Sequence, residues 1–194
     1  MTLQLVTPPT VEPVTLSDAK AFLRIGTDHD DDLILQLIAS ARQRVEAETG
    51  RALISRTYRE WLDRWDLPGR MADNGRQFRL TMPPLISVNT ITTYDAHDVG
   101  TVWDGANYFV DAQSDPGRIA VRSGGFPRPG RAAAGIEIIF DAGYGADPDD
   151  VPEALREAVL RLTADAYLNR DGDSARILPL AVQSLLAPYK RVGL

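Results

Sequence analysis

Residues 28–51 read DHDDDLILQLIASARQRVEAETGR, and this stretch decides how the rest of the chain is read. Leu33, Leu37, Ala41 and Val45 recur every fourth residue and are flanked by Ile34 and Ile38. That spacing lays an apolar stripe along one helix face. Asp30, Asp31 and Asp32 stand at the start, beside the positive end of the helix dipole. Gly50 follows the last turn, where a left-handed cap needs no Cβ. Gln36, Arg42, Gln43, Arg44, Glu46 and Glu48 fall largely off the stripe. The pattern predicts one long helix whose apolar face must be covered.

Upstream, residues 1–16 contain Pro8, Pro9 and Pro13 and read as an extended arm, laid on a neighbour or disordered. VTLSDAKAFLRI, residues 14–25, predicts a short helix capped by Thr15 or Ser17, with Ala19, Phe22 and Leu23 facing inward. Gly26-Thr27 ends it, and the two helices form an αα-hairpin.

After Gly50 the periodicity changes. Residues 52–62, 77–81, 86–96, 118–122 and 135–143 are rich in β-branched and aromatic residues and read as short strands. Between them lie turns at Pro68-Gly69, Asn74-Gly75 and Asp104-Gly105. VWDGANYFVDA, residues 102–112, precedes Ser114-Asp115-Pro116-Gly117, which carries a type II turn signature, and RIAVR after it completes a hairpin. Residues 123–135, SGGFPRPGRAAAG, read as a long mobile loop. Helix returns at Pro152, where Leu155, Val159, Leu162 and Ala166 share a face, and again from Pro179 to Pro188. The expected class is α+β. Residues 1–51 and 151–194 would form a helical domain from both chain ends. Residues 52–150 would form an inserted antiparallel β unit, a small sandwich or open barrel.

Composition narrows the functions. The 194 residues contain no cysteine, which excludes disulfides, thiolate metal sites and thiol catalysis. No apolar run reaches membrane-span length and the first residues lack a basic signal region, so a soluble intracellular protein is expected. The net charge is −6, the only lysines are Lys20 and Lys190, and no basic run marks a nucleic-acid groove.

Asp28, His29, Asp30, Asp31 and Asp32 are the one metal candidate, the basis for an alternative reading as a metal-dependent enzyme. The cluster lacks the glycine of a calcium loop, and Ala39 stands where its last glutamate belongs. Capping and the helix dipole explain the acids instead. His29 and His97 sit in no catalytic motif and are expected in surface loops. Gly124-Gly125 and Gly143-Tyr144-Gly145 lack the spacing of phosphate or dinucleotide loops. Trp61, Trp65 and Trp103 are read as core, with a nucleic-acid-binding module using Arg and Trp as a further alternative. The residues by themselves indicate no enzyme and no cofactor.

Taken together the motifs resemble a family. They are VTLSDAKAFLRI, DHDDDLILQLIASARQRVEAETGRAL, RTYREWLD, PPLISVNTITTYD, FDAGYG, VPEALREAVLRLTADAYLNRDG and ILPLAVQSLLAPYKR. Their order and spacing resemble the head–tail connector, or head-completion, proteins of long-tailed phages and of phage-like gene transfer agents. The resemblance implies a virion structural protein at the head–tail junction, present in the host cytoplasm during assembly. It implies a ring, a dodecamer in the particle and monomeric when free. It also implies a portal protein on one side and a tail-side connector or stopper on the other. DNA would pass without sequence-specific binding, and no membrane, metal or cofactor is implied. The acidic balance suits a conduit through which DNA must slide. The tail Pro188, Tyr189, Lys190, Arg191, Val192, Gly193 and Leu194 is the expected portal contact. The long β middle departs from the small, mostly helical members of that family.

Overall fold

The computed structural model describes residues 1–73, 75–169 and 178–190. The class is α+β; the described residues form four α-helices and two separate antiparallel sheets, neither of which closes into a barrel. The chain divides into two compact units, Met1–Pro8 with Ser55–Gly143, and Pro9–Ile54 with the segment from Tyr144 onward.

The helical unit contains α1 (Leu16–Leu23), α2 (Asp31–Thr49), α3 (Glu153–Leu168) and α4 (Leu180–Leu186). Thr15 caps α1, accepting from the Asp18 N–H at 3.1 Å, while the Thr15 hydroxyl donates to the Asp18 carboxylate at 2.7 Å. Arg24 ends α1 in the left-handed region at φ 58°, ahead of the expected Gly26-Thr27 stop. Phe22, expected inward, is exposed; Ala19 is the buried position, with Leu16 and Leu23 beside it. Residues 16, 19 and 23, spaced by three and four, share one face, and residue 22 lies about 90° round the helix from its centre.

On α2 the buried stripe is Ile34, Ile38, Ala41, Arg42, Val45, Glu46 and Thr49. Leu33 and Leu37 are only half-buried, so the stripe lies one residue over from the sequence reading. Gly50 caps the helix as expected, at φ 67°. Leu155, Ala158, Val159 and Leu162 of α3 and Val182 and Leu186 of α4 complete one core with α2. Leu53 and Ile54, expected within a strand, belong to this core; the strand begins only at Arg56.

In the β unit one sheet has the order β1-β2-β9-β5-β6 and the other β3-β4-β8-β7. The first is built from β1 (Thr2–Leu5), β2 (Arg56–Leu62), β5 (Leu85–Tyr94), β6 (Gly100–Val102) and β9 (Ile136–Ala142). The second uses β3 (Met71–Ala72), β4 (Gln77–Arg79), β7 (Tyr108–Asp111) and β8 (Arg118–Val121). Burial alternates strictly along β2 and β9, as the period of a strand requires. The arm corrects one expectation: Thr2–Leu5 pairs antiparallel with β2 of its own chain. These four residues include no proline or charge, so nothing stops them adding to the open edge.

The hairpin joining β7 and β8 forms as expected, but its turn is not type II. That type needs a positive φ at Gly117, which Gly117 lacks, and the Asp115–Pro116 peptide is cis. The need for glycine is steric. A Cβ there would lie 2.4 Å from the Cβ of Leu85.

Residues 123–135 have no regular structure, and Phe126 and Pro127 within them pack against the β unit. The Phe126 ring lies 4.5 Å from that of Trp65, and Trp65 Nε1 donates to the Pro127 carbonyl at 2.8 Å. Phe78, Trp103 and Tyr108 extend the same aromatic cluster.

Candidate partner-binding surface

The acidic turn before α2 closes on the helical unit itself. Lys20 projects from α1 and donates to Asp28 at 2.6 Å and to Asp31 at 2.7 Å. These bonds raise the Lys20 ammonium above its ordinary value and lower the Asp28 carboxyl below its own. Asp30 makes no capping bond; its carboxylate instead accepts from the Tyr167 hydroxyl of α3. The acids that suggested a metal loop thus join α1 and α3 to the start of α2. Among the described residues no group of His, Asp and Glu is placed to hold a metal ion. His29 and His97 are both exposed in loops.

A second ionic group was not legible in the sequence. Arg42 donates through Nη1 to Glu46 at 2.9 Å and through Nε to Glu12 at 2.7 Å. Glu46 also accepts from the Leu53 N–H at 3.0 Å. A buried charge persists only when paired and hydrogen-bonded. Here the cluster fastens residue 12 and the segment after Gly50 to one turn of α2. The i, i+4 spacing of Arg42 and Glu46 was the available signal, but it normally marks an exposed face.

The expected portal contact begins in a short 3-10 turn, Ala187–Tyr189, after α4. Pro188 and Lys190 are exposed, whereas Tyr189 is half-buried and packs against the helical core. Arg51 Nε donates to the Tyr189 carbonyl at 2.9 Å, and Lys190 lies 3.2 Å from Glu48. Arg191, Val192, Gly193 and Leu194 lie outside the described residues.

Hollows on the unit's surface include two with distinct linings. One of about 460 Å³ is lined by Leu16, Ser17, Lys20, Ala21 and Ile25. The other, about 280 Å³, is bordered by Val14, Asp18, Glu153 and Arg156. In the first, Ser17 shares the lining with Lys20, whose ammonium is already engaged by Asp28 and Asp31 and so is no free base.

In the β unit, Asp111 is held at about 2 by bonds from the Ser114 hydroxyl and the Arg118 guanidinium. Burial, and then the Glu137 carboxylate 3.0 Å away, push the Tyr94 phenol up. These groups brace turns and strand ends. Trp65 is buried and Trp61 and Trp103 are half-buried, so none presents a free stacking face comparable to a single-strand groove.

Comparison with known proteins adds to this geometry. The model of the family "Phage gp6-like head-tail connector protein" matches residues 13–77. That segment holds α1, α2 and the strands through the start of β4. No curated protein matches the chain. Among solved structures, a chain from the neck of an empty GTA particle, computed with C6 symmetry, superimposes with a TM-score of 0.84 and 27% identity. The match covers 100% of this chain and 97% of that one. A chain from the virion of a native gene transfer agent (GTA) particle gives 0.82 and 27%, with the same coverage. A chain from the neck of a native GTA particle, computed with C12 symmetry, gives 0.78 and 28%, again covering 100% and 97%. Residues 13–77 are thus similar to the phage gp6-like head–tail connector family, and the whole chain is similar in fold to chains of gene transfer agent particles.

Proposed function

We propose that this protein is a structural head–tail connector of a phage-like particle, joining the capsid to the tail and extending the DNA conduit. One observation carries the reading: 100% of the chain superimposes on chains of gene transfer agent necks at 27–28% identity. The connector family match over α1 and α2 points the same way. The work is mechanical, done by packed helices and sheets, and needs no catalytic group.

The C6 and C12 symmetry of those necks supports assembly of this chain as a ring, with twelve copies as the natural number. In a closed ring each copy offers two different patches, one to each neighbour. Buried only in the assembly, they leave a free chain monomeric at low concentration. A portal protein would sit on the capsid side and a stopper or tail-side connector on the other. The tail, residues 188–194, would be the portal contact. An anchor repeated around the ring would hold even if each copy bound weakly. Duplex DNA would pass through without sequence-specific contacts, as the net charge of −6 favours. The protein would accumulate in the host cytoplasm and end in the particle.

The test is deletion of the coding sequence in a producing strain. DNA-filled heads without tails are the expected product, and tails should join again when the purified protein is added. Normal tailed particles in its absence would overturn the connector role.

A further inference from the structure

Among the described residues the five-stranded sheet has open edges on both sides, β1 at one and β6 at the other. Natural edges are usually blunted by lysine, proline, a bulge or extreme shortness, because unpaired backbone groups invite another strand. The four-stranded sheet follows that rule. Its edge β3 has two residues, and its other edge β7 ends on Asp111 bound to Arg118.

The five-stranded sheet follows it only through the shortness of β6, which has three residues, and leaves β1 unblunted. Residues 1–6, MTLQLV, and 99–102, VGTV, contain no charged side chain and no proline. Both edges expose large apolar side chains, Leu5 and Val6 on one and Val99 and Val102 on the other. Every residue of β6 is exposed.

The free backbone groups can be named. Val6 N–H donates to Thr57 at 2.9 Å and Trp103 N–H to Ile91 at 2.7 Å. In an antiparallel ladder, residues that bond the partner alternate with residues that face away. Leu3 and Leu5 on β1, and Gly100 and Val102 on β6, therefore aim N–H and C=O outward. Both edges carry outward groups at spacing two, as one strand needs to receive another.

Direction also agrees. All four pairings in the sheet are antiparallel, so β1 and β6 run the same way. A rotation that brings one copy's β6 edge against the next copy's β1 edge lays the two strands parallel. A ring needs contacts between two different patches, and opposite edges of one sheet are such a pair.

We infer that β6 of each protomer pairs in parallel with β1 of the next, so that the sheets join around the ring; this rests on the ring reading above. The occupant of each edge is a second copy of this chain. Backbone bonds supply the contact, and Leu5, Val6, Val99 and Val102 leave water with it.

The absence of native cysteine makes the test direct. Register places Thr2, Trp61, Glu137, Thr92 and Val102 in one row across the sheet, on one face, and Gln4 is two residues along on that face. Double variants Thr2→Cys/Val102→Cys and Gln4→Cys/Val102→Cys are oxidised as full-length protein in assembled particles. Melting curves first check that each variant is folded. At least one pair should give a ladder of disulfide-linked multiples of this chain on non-reducing gels. Each single cysteine variant, and each double variant kept dilute and free, should run as a monomer. Rings visible by electron microscopy with no ladder from either pair would overturn the strand pairing alone. Crosslinks to a different protein would also overturn it. Absence of any ring in the particle would overturn both the pairing and the ring reading.

Discussion

Glu60, fully buried on β2, is gripped at both carboxylate oxygens by Arg70, with Nη1 2.7 Å and Nη2 2.8 Å away. The Thr81 hydroxyl adds a longer bond at 3.3 Å, and the Arg70 guanidinium lies 4.3 Å from the centre of the Phe78 ring. A charge in the middle of a strand is tolerated here because a planar fork meets it and an aromatic face backs the fork.

The pair is costly to break and cheaper to replace. Arg70→Ala strands the Glu60 carboxylate and should cost about 3–5 kcal/mol, read by chemical denaturation. Glu60→Leu combined with Arg70→Met should recover most of that loss. A small effect of Arg70→Ala alone would mean that water reaches Glu60 and that the site is not dry.

The same pair shows where the sequence stops being legible. The alternation of β2 is visible from Arg56 to Leu62, but its inward positions include Arg56 and Glu60, which a hydrophobicity pattern assigns outward. On α2 the error has the same cause. Arg42 and Glu46 continue the line of Ile34 and Ile38, so two charges in the stripe shift the apparent face toward Leu33 and Leu37. The capping of α1, the Gly50 stop and the hairpin of β7 with β8 depend on neighbours in sequence and were readable. The seat of Phe126 depends on Trp65, sixty-one residues earlier, and nothing local announces it. For the candidate surface, residues 188–190 could be named from the sequence. Their anchorage through Arg51 and Glu48 could not, because those partners lie far away along the chain.

The displaced stripe gives a direct measurement. Ile38 is wholly buried in the helical core and Leu37 only partly. Ile38→Ala should cost about 2–5 kcal/mol, because it removes buried surface and leaves a cavity. Leu37→Ala should cost clearly less. A larger loss at Leu37 would restore the stripe as first read.

The acidic turn should make stability depend on pH at both extremes. The Asp28 carboxyl is lowered by its bond to Lys20, so its contribution is present above its ordinary 3.8 and fades as pH falls through the lower folded value. The Lys20 ammonium is raised by Asp28 and Asp31. Its contribution is full below 10.5 and fades as pH rises through the higher folded value. Lys20→Met should therefore lower the melting temperature most at neutral pH, and the gap from wild type should narrow in strong acid and strong base. A gap constant across pH would assign the effect to packing of the Lys20 stem.

The end of the chain requires two truncations, because part of it belongs to the fold. Tyr189 packs on the helical core, and its carbonyl is held by Arg51. Tyr189→Ala should cost about 2 kcal/mol, less than a fully buried ring, because part of the side chain is already in water. The Lys190–Glu48 pair lies at the surface and adds little. Deleting residues 188–194 would thus weaken the monomer itself, and a failure to attach could be misread as loss of an anchor. Deleting only residues 191–194 keeps Tyr189 and Lys190 in place. The shorter deletion should leave the melting temperature unchanged while abolishing capture by purified portal rings or filled capsids. Capture equal to wild type, with Tyr189 and Lys190 intact, would remove residues 191–194 from the portal contact. The helical surface around α4 would then be the next segment to test.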